Sequence, residues 1–224
     1  GKEWSALTYY FVLLGQILIV SLVLCILFLF IKQHNKEVLN NVTKITMILF
    51  IILTMVLLSS ITLSFNTKYL YVIPFCISPI VLKAFFDNRI ALFTHLTTVL
   101  LIGFIVPNGF EFVFLQLIAG IVSILTVLKM YKRSQLFLSA VKIIAVYIII
   151  YLSLTITYNG SFNGLDYSIL LQLILSGTLT LFAYPIIFIF EKIFSLVSDV
   201  SLLELTDTNS PLLRRLSEEA PGTF

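Results

Sequence analysis

Two histidines, two cysteines and eleven carboxylates are what 224 residues offer for catalysis or metal binding, and they are scattered. His34 and His95 lie far apart and no His-Asp pair occurs, so nothing here is equipped for acid–base or metal chemistry. The residues that stand out are isolated polar groups in apolar surroundings. His95 has Thr94, Thr97 and Thr98 beside it, and an ionisable side chain in such a setting is a functional candidate. A neutral imidazole can equally bond a neighbouring helix and hold a bundle together, which is the stronger reading. Gln16, Gln116 and Gln172 are candidate partners for bonds between helices, and a polar path would need several of them to converge. Pro185 follows Ser176-Gly-Thr178, Thr180 and Ala183-Tyr184. Small residues allow close packing and a mid-helix proline forces a kink, so this stretch is either a hinge or fixed geometry. Glu111 stands where a helix N-terminus favours a carboxylate.

The elements that must position these residues follow from composition. Hydrophobic residues make up 59% and charged residues only 11%, against roughly 25% charged in a soluble domain; the mean hydropathy is +1.08. A water-facing surface cannot be made from this. Seven apolar runs are each long enough to cross a hydrocarbon layer roughly 30 Å thick: Thr8–Ile31, Ile45–Phe65, Tyr69–Phe86, Ile90–Val106, Phe110–Leu128, Leu136–Thr157 and Ser168–Phe190. Barrel strands would alternate apolar and polar residues, and runs such as Ile17-Leu-Ile-Val-Ser-Leu-Val-Leu do not. The expected fold is an all-α, polytopic membrane bundle of about seven helices. Spans three and four are the shortest, and Pro74 and Pro79 in span three leave open a hairpin that crosses only partly.

Charge sets the orientation. With alternating spans, Lys32, Lys36, Lys44, Lys83, Arg89, Lys129, Lys132, Arg133, Lys142, Lys192, Arg214 and Arg215 share one side, and Lys2 and Lys68 the other. Cationic loops stay in the cytoplasm, so the N-terminus is expected outside and the C-terminus inside. Lys83 and Lys142 can snorkel to the inner interface. The net charge of +3 reflects these span ends and gives no reason to expect nucleic acid. Cys25 and Cys76 are expected as buried apolar residues, offset on the order of 10 Å along the membrane normal, too far for a disulfide. The loop Tyr158–Tyr167, with two Asn-Gly pairs, reads as turns, and its Asn159-Gly-Ser161 sequon carries little weight.

Residues 1–190 thus form the membrane domain and 191–224 a connector. Glu191–Leu205 has apolar residues at helical spacing and predicts an amphipathic helix continuing from span seven. A second helix is predicted from a Ser210 cap and Pro211 to Ala220, stopping at Pro221-Gly222. The tail Ser201-Leu-Leu-Glu-Leu-Thr-Asp-Thr-Asn-Ser-Pro-Leu-Leu-Arg-Arg-Leu-Ser-Glu-Glu-Ala-Pro-Gly-Thr-Phe224 closely resembles the segment joining the membrane and catalytic halves of the bacterial seven-transmembrane HD-domain phosphohydrolases, the PgpH-type cyclic-di-AMP phosphodiesterases. The proline-containing third span, the turn Asp87-Asn-Arg-Ile-Ala-Leu92 and the basic Lys132-Arg133 turn resemble that family more loosely.

The resemblance implies a modular protein of the bacterial cytoplasmic membrane. An extracytoplasmic sensor domain would precede these helices and a cytoplasmic HD domain would follow them. In the family the aromatic residue after Ala-Pro-Gly-Thr is followed by a His-His pair of a two-metal centre, of iron or manganese. None of those ligands maps onto this chain, which begins Gly-Lys-Glu-Trp without an initiator Met and is expected to be a piece of that larger polypeptide. The expected role is to anchor the hydrolase and transmit an external signal to it, with the bilayer and the two flanking domains as partners. A homo-oligomer is compatible with the sequence but not specified by it. The rival is a small-molecule transporter or permease, for which Pro74 and Pro79 are the best feature. A retinal-type receptor would need a lysine inside span seven, and Lys192 lies past its end.

Overall fold

A proline-free apolar run carries α1 (Ala6–His34) as one uninterrupted helix, which His34 closes. The structure, a computed structural model, describes residues 6–127 and 134–206, and among these there are helices and turns but no strand. Asn35 turns the chain by accepting hydrogen bonds from the Glu37 and Val38 N–H groups, starting the short α2 (Lys36–Asn40). Asn41 repeats the device at 3.2 Å on Lys44, starting α3 (Val42–Phe65). Both give first-turn N–H groups the acceptors that a helix cannot supply internally.

Span three is interrupted. A 3-10 helix over Thr67–Val72 ends at Ile73, which is extended, and α4 (Ile77–Phe85) begins only after Pro74. The cause is local: proline lacks an N–H and drives the residue before it out of the α region. Pro79 is harmless because it falls in the first turn of α4, where N–H groups lack helical partners anyway. The expected unbroken helix over Tyr69–Phe86 is therefore corrected to two shorter ones. This irregular span is also the most enclosed: 67% of its residues are buried in the bundle, against 6% for α1. Non-helical backbone is tolerated at membrane depth where protein surrounds it.

Asp87 caps α5 (Asn88–Gly103), and α6 (Gly109–Val127) follows. α7 (Ser134–Asn159) ends in a turn at Gly160, whose φ of +62° fits the Asn-Gly signal. Asp166 caps α8 (Tyr167–Leu179). Span seven then tightens to a 3-10 turn over Thr180–Phe182 before α9 (Ala183–Phe194). The tightening covers Leu181, whose carbonyl the Pro185 ring would crowd in a regular helix. α6 lies between α5 and α7, α7 packs on α8, α4 touches α5, α6 and α9, and α1 packs along α5. Among the described residues six spans are long and apolar enough to cross a membrane, and α5 is a shorter, seventh apolar helix. The all-helical membrane bundle expected from sequence is what forms.

Three further expectations change. The amphipathic helix over 191–205 does not run on from span seven: Ser195 adopts a left-handed conformation (φ 52°) and ends α9, and α10 (Asp199–Thr206) starts afresh. Cys25 is exposed on the bundle's outside while Cys76 is buried. Gln16 also faces outward from α1. Cys25 and Gln16 went astray for one reason: α1 is apolar all round, so nothing in its sequence marks a buried face. Lys129, Lys132, Arg133, Lys2 and the connector from Asp207 to Phe224, including its second helix, lie outside the described residues.

Left-handed backbone is costly for serine and free for glycine. Ser195→Gly is expected to raise stability by about 0.5 kcal/mol in detergent unfolding, whereas Ser195→Val should lower it. Equal stability for the two variants would mean that the turn is not held in this conformation.

Candidate functional site

Two of the buried polar side chains, His95 on α5 and Gln116 on α6, meet where these helices pack. His95 on α5 is 1% exposed, and its Nε2 donates to the Gln116 carbonyl at 3.1 Å. A carbonyl only accepts, so the neutral ring carries its proton on Nε2 and leaves Nδ1 as an acceptor, for which no partner is present. The approach depends on Gly120, one turn beyond Gln116, because a Cβ there would overlap the imidazole ring. Gln116, fully buried, uses its side chain in the opposite direction: Oε1 accepts from the Tyr147 hydroxyl on α7 at 2.8 Å. With that proton committed, the Cys76 thiol donates to the Tyr147 oxygen at 3.2 Å. Ser176 on α8 donates to the Ile73 carbonyl at 3.0 Å, beside the interruption in span three. One network thus ties span three, α5, α6 and α7 together, with α8 pinned to span three alongside.

His95 and Gln116 therefore converge, as a polar site would require, while Gln172 and Pro185 do not join them. Gln172 lies toward one end of the bundle, its Nε2 donating to Ser168 at 3.2 Å and its Oε1 without a partner. Pro185 is in α9. Tyr147, Cys76 and Ser176 are additions that sequence reasoning missed. The available signal was a tyrosine in the middle of an apolar helix, whose hydroxyl must find a partner when buried. Chemically the network is a set of neutral hydrogen bonds. The Cys76 thiol faces a phenol and no base, so it is not an activated nucleophile.

The charge-poor end of the bundle holds a cleft of about 600 Å³ between the starts of α6 and α8 and the end of α7, adjoining a cavity of about 180 Å³. Tyr151 braces its wall: the hydroxyl accepts from the Asp166 N–H at 3.0 Å and donates to the Asp166 carbonyl at 3.3 Å. The Asp166 carboxylate accepts from the Ser168 N–H at 2.8 Å. Glu111, in the first turn of α6 as expected, lines the same cleft.

The basic end fastens the connector. Lys83, at the end of α4, reaches Asp199 of α10 at 3.5 Å. Glu191 of α9 accepts from the Ser198 N–H at 2.8 Å, and Ser198 Oγ accepts from the Ser201 N–H at 3.2 Å, giving α10 its N-terminal partners. His34 meets Asp87 at 2.6 Å, with Phe30 stacked on Phe93. Lys83 thus has a protein partner where snorkelling was expected, while Lys142 is exposed. Among the described residues no three His, Cys, Asp or Glu side chains gather. His34 has one carboxylate and His95, about 12 Å further along α5 from Asp87, has a carbonyl. A two-metal centre does not fit these residues.

The family described as 7TM receptor with intracellular HD hydrolase matches residues 10–198. The chain is 26% identical over 225 residues to the cyclic-di-AMP phosphodiesterase PgpH of Bacillus subtilis, which covers 94% of this chain and 31% of the relative. It is 36% identical over 101 residues to the uncharacterised protein slr0104 of Synechocystis, covering 43% of this chain and 12% of that one. The chain thus spans about a third of the Bacillus relative's length. No solved structure matches it. The apolar spans and these relatives make it a multi-pass bacterial membrane protein.

Proposed function

Because the chain belongs to the family of 7TM receptors with an intracellular HD hydrolase, we propose that it is the membrane-anchoring and signal-transmitting domain of a cyclic-di-AMP-hydrolysing HD phosphohydrolase. The basic end lies in the cytoplasm of a bacterial inner membrane and the charge-poor end outside. Residues 1–190 form the membrane unit and 191–224 the connector to the HD domain, while a sensor domain precedes the bundle on the other side. The hydrolase's metal centre, of iron or manganese, belongs to the HD domain and would activate the attacking water there. His95 and Gln116 hold the bundle, and Pro185 with Ser195 articulates the helix that leads out of it.

The observation that carries the reading is the fastening of α10. The element that would lead to the enzyme is separated from span seven by a left-handed turn and held to the bundle by Lys83–Asp199 and Glu191–Ser198. A relay needs an element with two arrangements that a signal favours unequally, and a hinge with a releasable clasp meets that need where a continuous helix would not. The size of the effect is bounded. Asp199 is 63% exposed and Lys83 17%, and such ion pairs are worth at most about 1 kcal/mol, or roughly a fivefold shift in an equilibrium.

The test is cyclic-di-AMP hydrolysis by the intact protein in vesicles. Asp199→Lys is expected to change the rate by up to about fivefold, and Lys83→Asp combined with Asp199→Lys to restore it. Unchanged hydrolysis in both single variants would leave a passive anchor. A transporter is the second reading, favoured by the interruptions in spans three and seven; solute flux in proteoliposomes would support it.

A further inference from the structure

Between α3, span three and α9 lies a slot of about 320 Å³. The interruption in span three makes it. Ile73 is extended and α4 begins only at Ile77, so the floor is Ile73, Pro74 and the first turns of α4. A continuous helix would present a ridge of side chains there. Ile51, Met55 and Leu58 of α3 form one wall, and Ile186, Ile189 and Phe190 of α9 the other. Phe50 meets Phe190 with ring centres 5.9 Å apart and joins the walls toward the basic end. Leu58 and Ile189 are exposed, so the slot opens sideways on lipid. The two hydroxyls of the described lining offer it no polar surface: Thr54 Oγ1 donates to the Phe50 carbonyl at 2.7 Å, and Ser78 Oγ is buried. The slot suits a hydrocarbon chain.

Lipid tails are as apolar as this lining, so apolarity alone selects no particular lipid. Charge does. Lys44, Ile51, Met55 and Leu58 follow one another at spacings of seven, four and three, which places the lysine on the slot-facing side of α3. It stands about 10 Å from Ile51 along the helix axis, toward the basic end. The other wall ends likewise: Lys192 is exposed in the last turn of α9, about 5 Å along the axis from Ile189. Both cations thus lie at headgroup level for a lipid whose tail occupies the slot. The acids nearest Lys192 are already engaged, Glu191 by the Ser198 N–H and Asp199 by Lys83. Each cation near an anionic headgroup favours it roughly fivefold.

We infer that the slot is a binding site for one anionic phospholipid of the leaflet at the basic end. An acyl chain lies between α3 and α9 over the break in span three, and the phosphate-bearing headgroup sits between Lys44 and Lys192. The site stands apart from the relay and needs only the bilayer.

The experiment is native mass spectrometry of the intact protein in detergent, incubated with equimolar phosphatidylglycerol and phosphatidylcholine of the same acyl chains. One phosphatidylglycerol is expected to stay bound, preferred over the zwitterionic lipid at least about fivefold. Thr54→Trp puts an indole into the slot and should abolish retention; Leu58→Trp, at the rim, fills it from a position that tolerates bulk. An unchanged melting temperature without lipid checks that each variant is folded. Lys44→Gln combined with Lys192→Gln should bring the two lipids to equal retention, whereas Lys142→Gln, on α7 and away from the slot, should leave the preference as it was. Equal retention of both lipids by wild type overturns the site, as does retention undiminished in both tryptophan variants. A preference that survives loss of both lysines, or that Lys142→Gln lowers as much as the pair does, overturns it too. A dimer that dissociates in the tryptophan variants assigns the slot to a second copy of the chain and overturns the lipid.

Discussion

Gly120→Ala is expected to lower stability by about 3 kcal/mol, from overpacking together with a lost buried hydrogen bond. In a bundle of this size that is a fall of roughly 8 °C in the melting temperature. The added methyl would occupy the space of the His95 ring, and a fully enclosed imidazole has no solvent gap to swing into. Either α5 and α6 separate, or the ring turns and the Gln116 carbonyl loses its bond. Gly15→Ala in α1 is the matched control, because nothing lies within 4 Å of a Cβ there; it should be neutral or mildly stabilising, as alanine favours helix over glycine. Gly120→Ala combined with His95→Ala should regain part of the loss, since the obstructing ring is gone. Equal melting temperatures for Gly120→Ala and wild type would mean that the two helices do not approach as described.

The second large effect concerns Gln116 and Tyr147. Tyr147→Phe strips Gln116 Oε1 of its donor and the Cys76 thiol of its acceptor. Gln116→Leu takes away the amide acceptor of the Tyr147 hydroxyl and leaves it only the weakly accepting Cys76 sulfur at 3.2 Å. Tyr147→Phe is expected to cost about 2 kcal/mol, the penalty of a buried polar group left without a partner, and Gln116→Leu less, because the Cys76 sulfur can still accept and the Gln116 Nε2, already without a partner, is removed. The double variant, by contrast, replaces a bonded pair with two apolar groups and should cost less than the sum by about 0.6–1.7 kcal/mol, the coupling seen between bonded side chains in membrane helices. Detergent or denaturant titration of the four proteins measures it. Strict additivity would show that the bond contributes nothing to the fold.

How much of this was legible in the sequence depends on what each feature looks like to the chain itself. Span length and number are written in apolar runs, so α3 was expected over Ile45–Phe65 and forms over Val42–Phe65. Depth within the bundle is not written at all. Lipid and protein interior are both apolar, so a helix facing lipid and one facing its neighbours have similar compositions. α1 and span three are the extreme pair, both apolar yet 6% and 67% buried. For that reason His95 and Gln116 could be singled out by type, while their meeting, and the parts of Tyr147 and Cys76 in it, could not. The interruption in span three had a visible cause in Pro74. The turn at Ser195 had none, since serine carries no signal for left-handed backbone.

The first helix has a further consequence. Its membrane-crossing stretch is 27 residues long, about 40 Å at helical rise, whereas the oily layer it crosses is about 30 Å. Excess length of this kind is taken up by leaning over. Its principal attachments to α5, the Phe30–Phe93 stack and the His34–Asp87 contact, lie at one extremity. The helix is thus a pole set in a socket at its foot, and its slant follows how thick or stretched the surrounding lipid is.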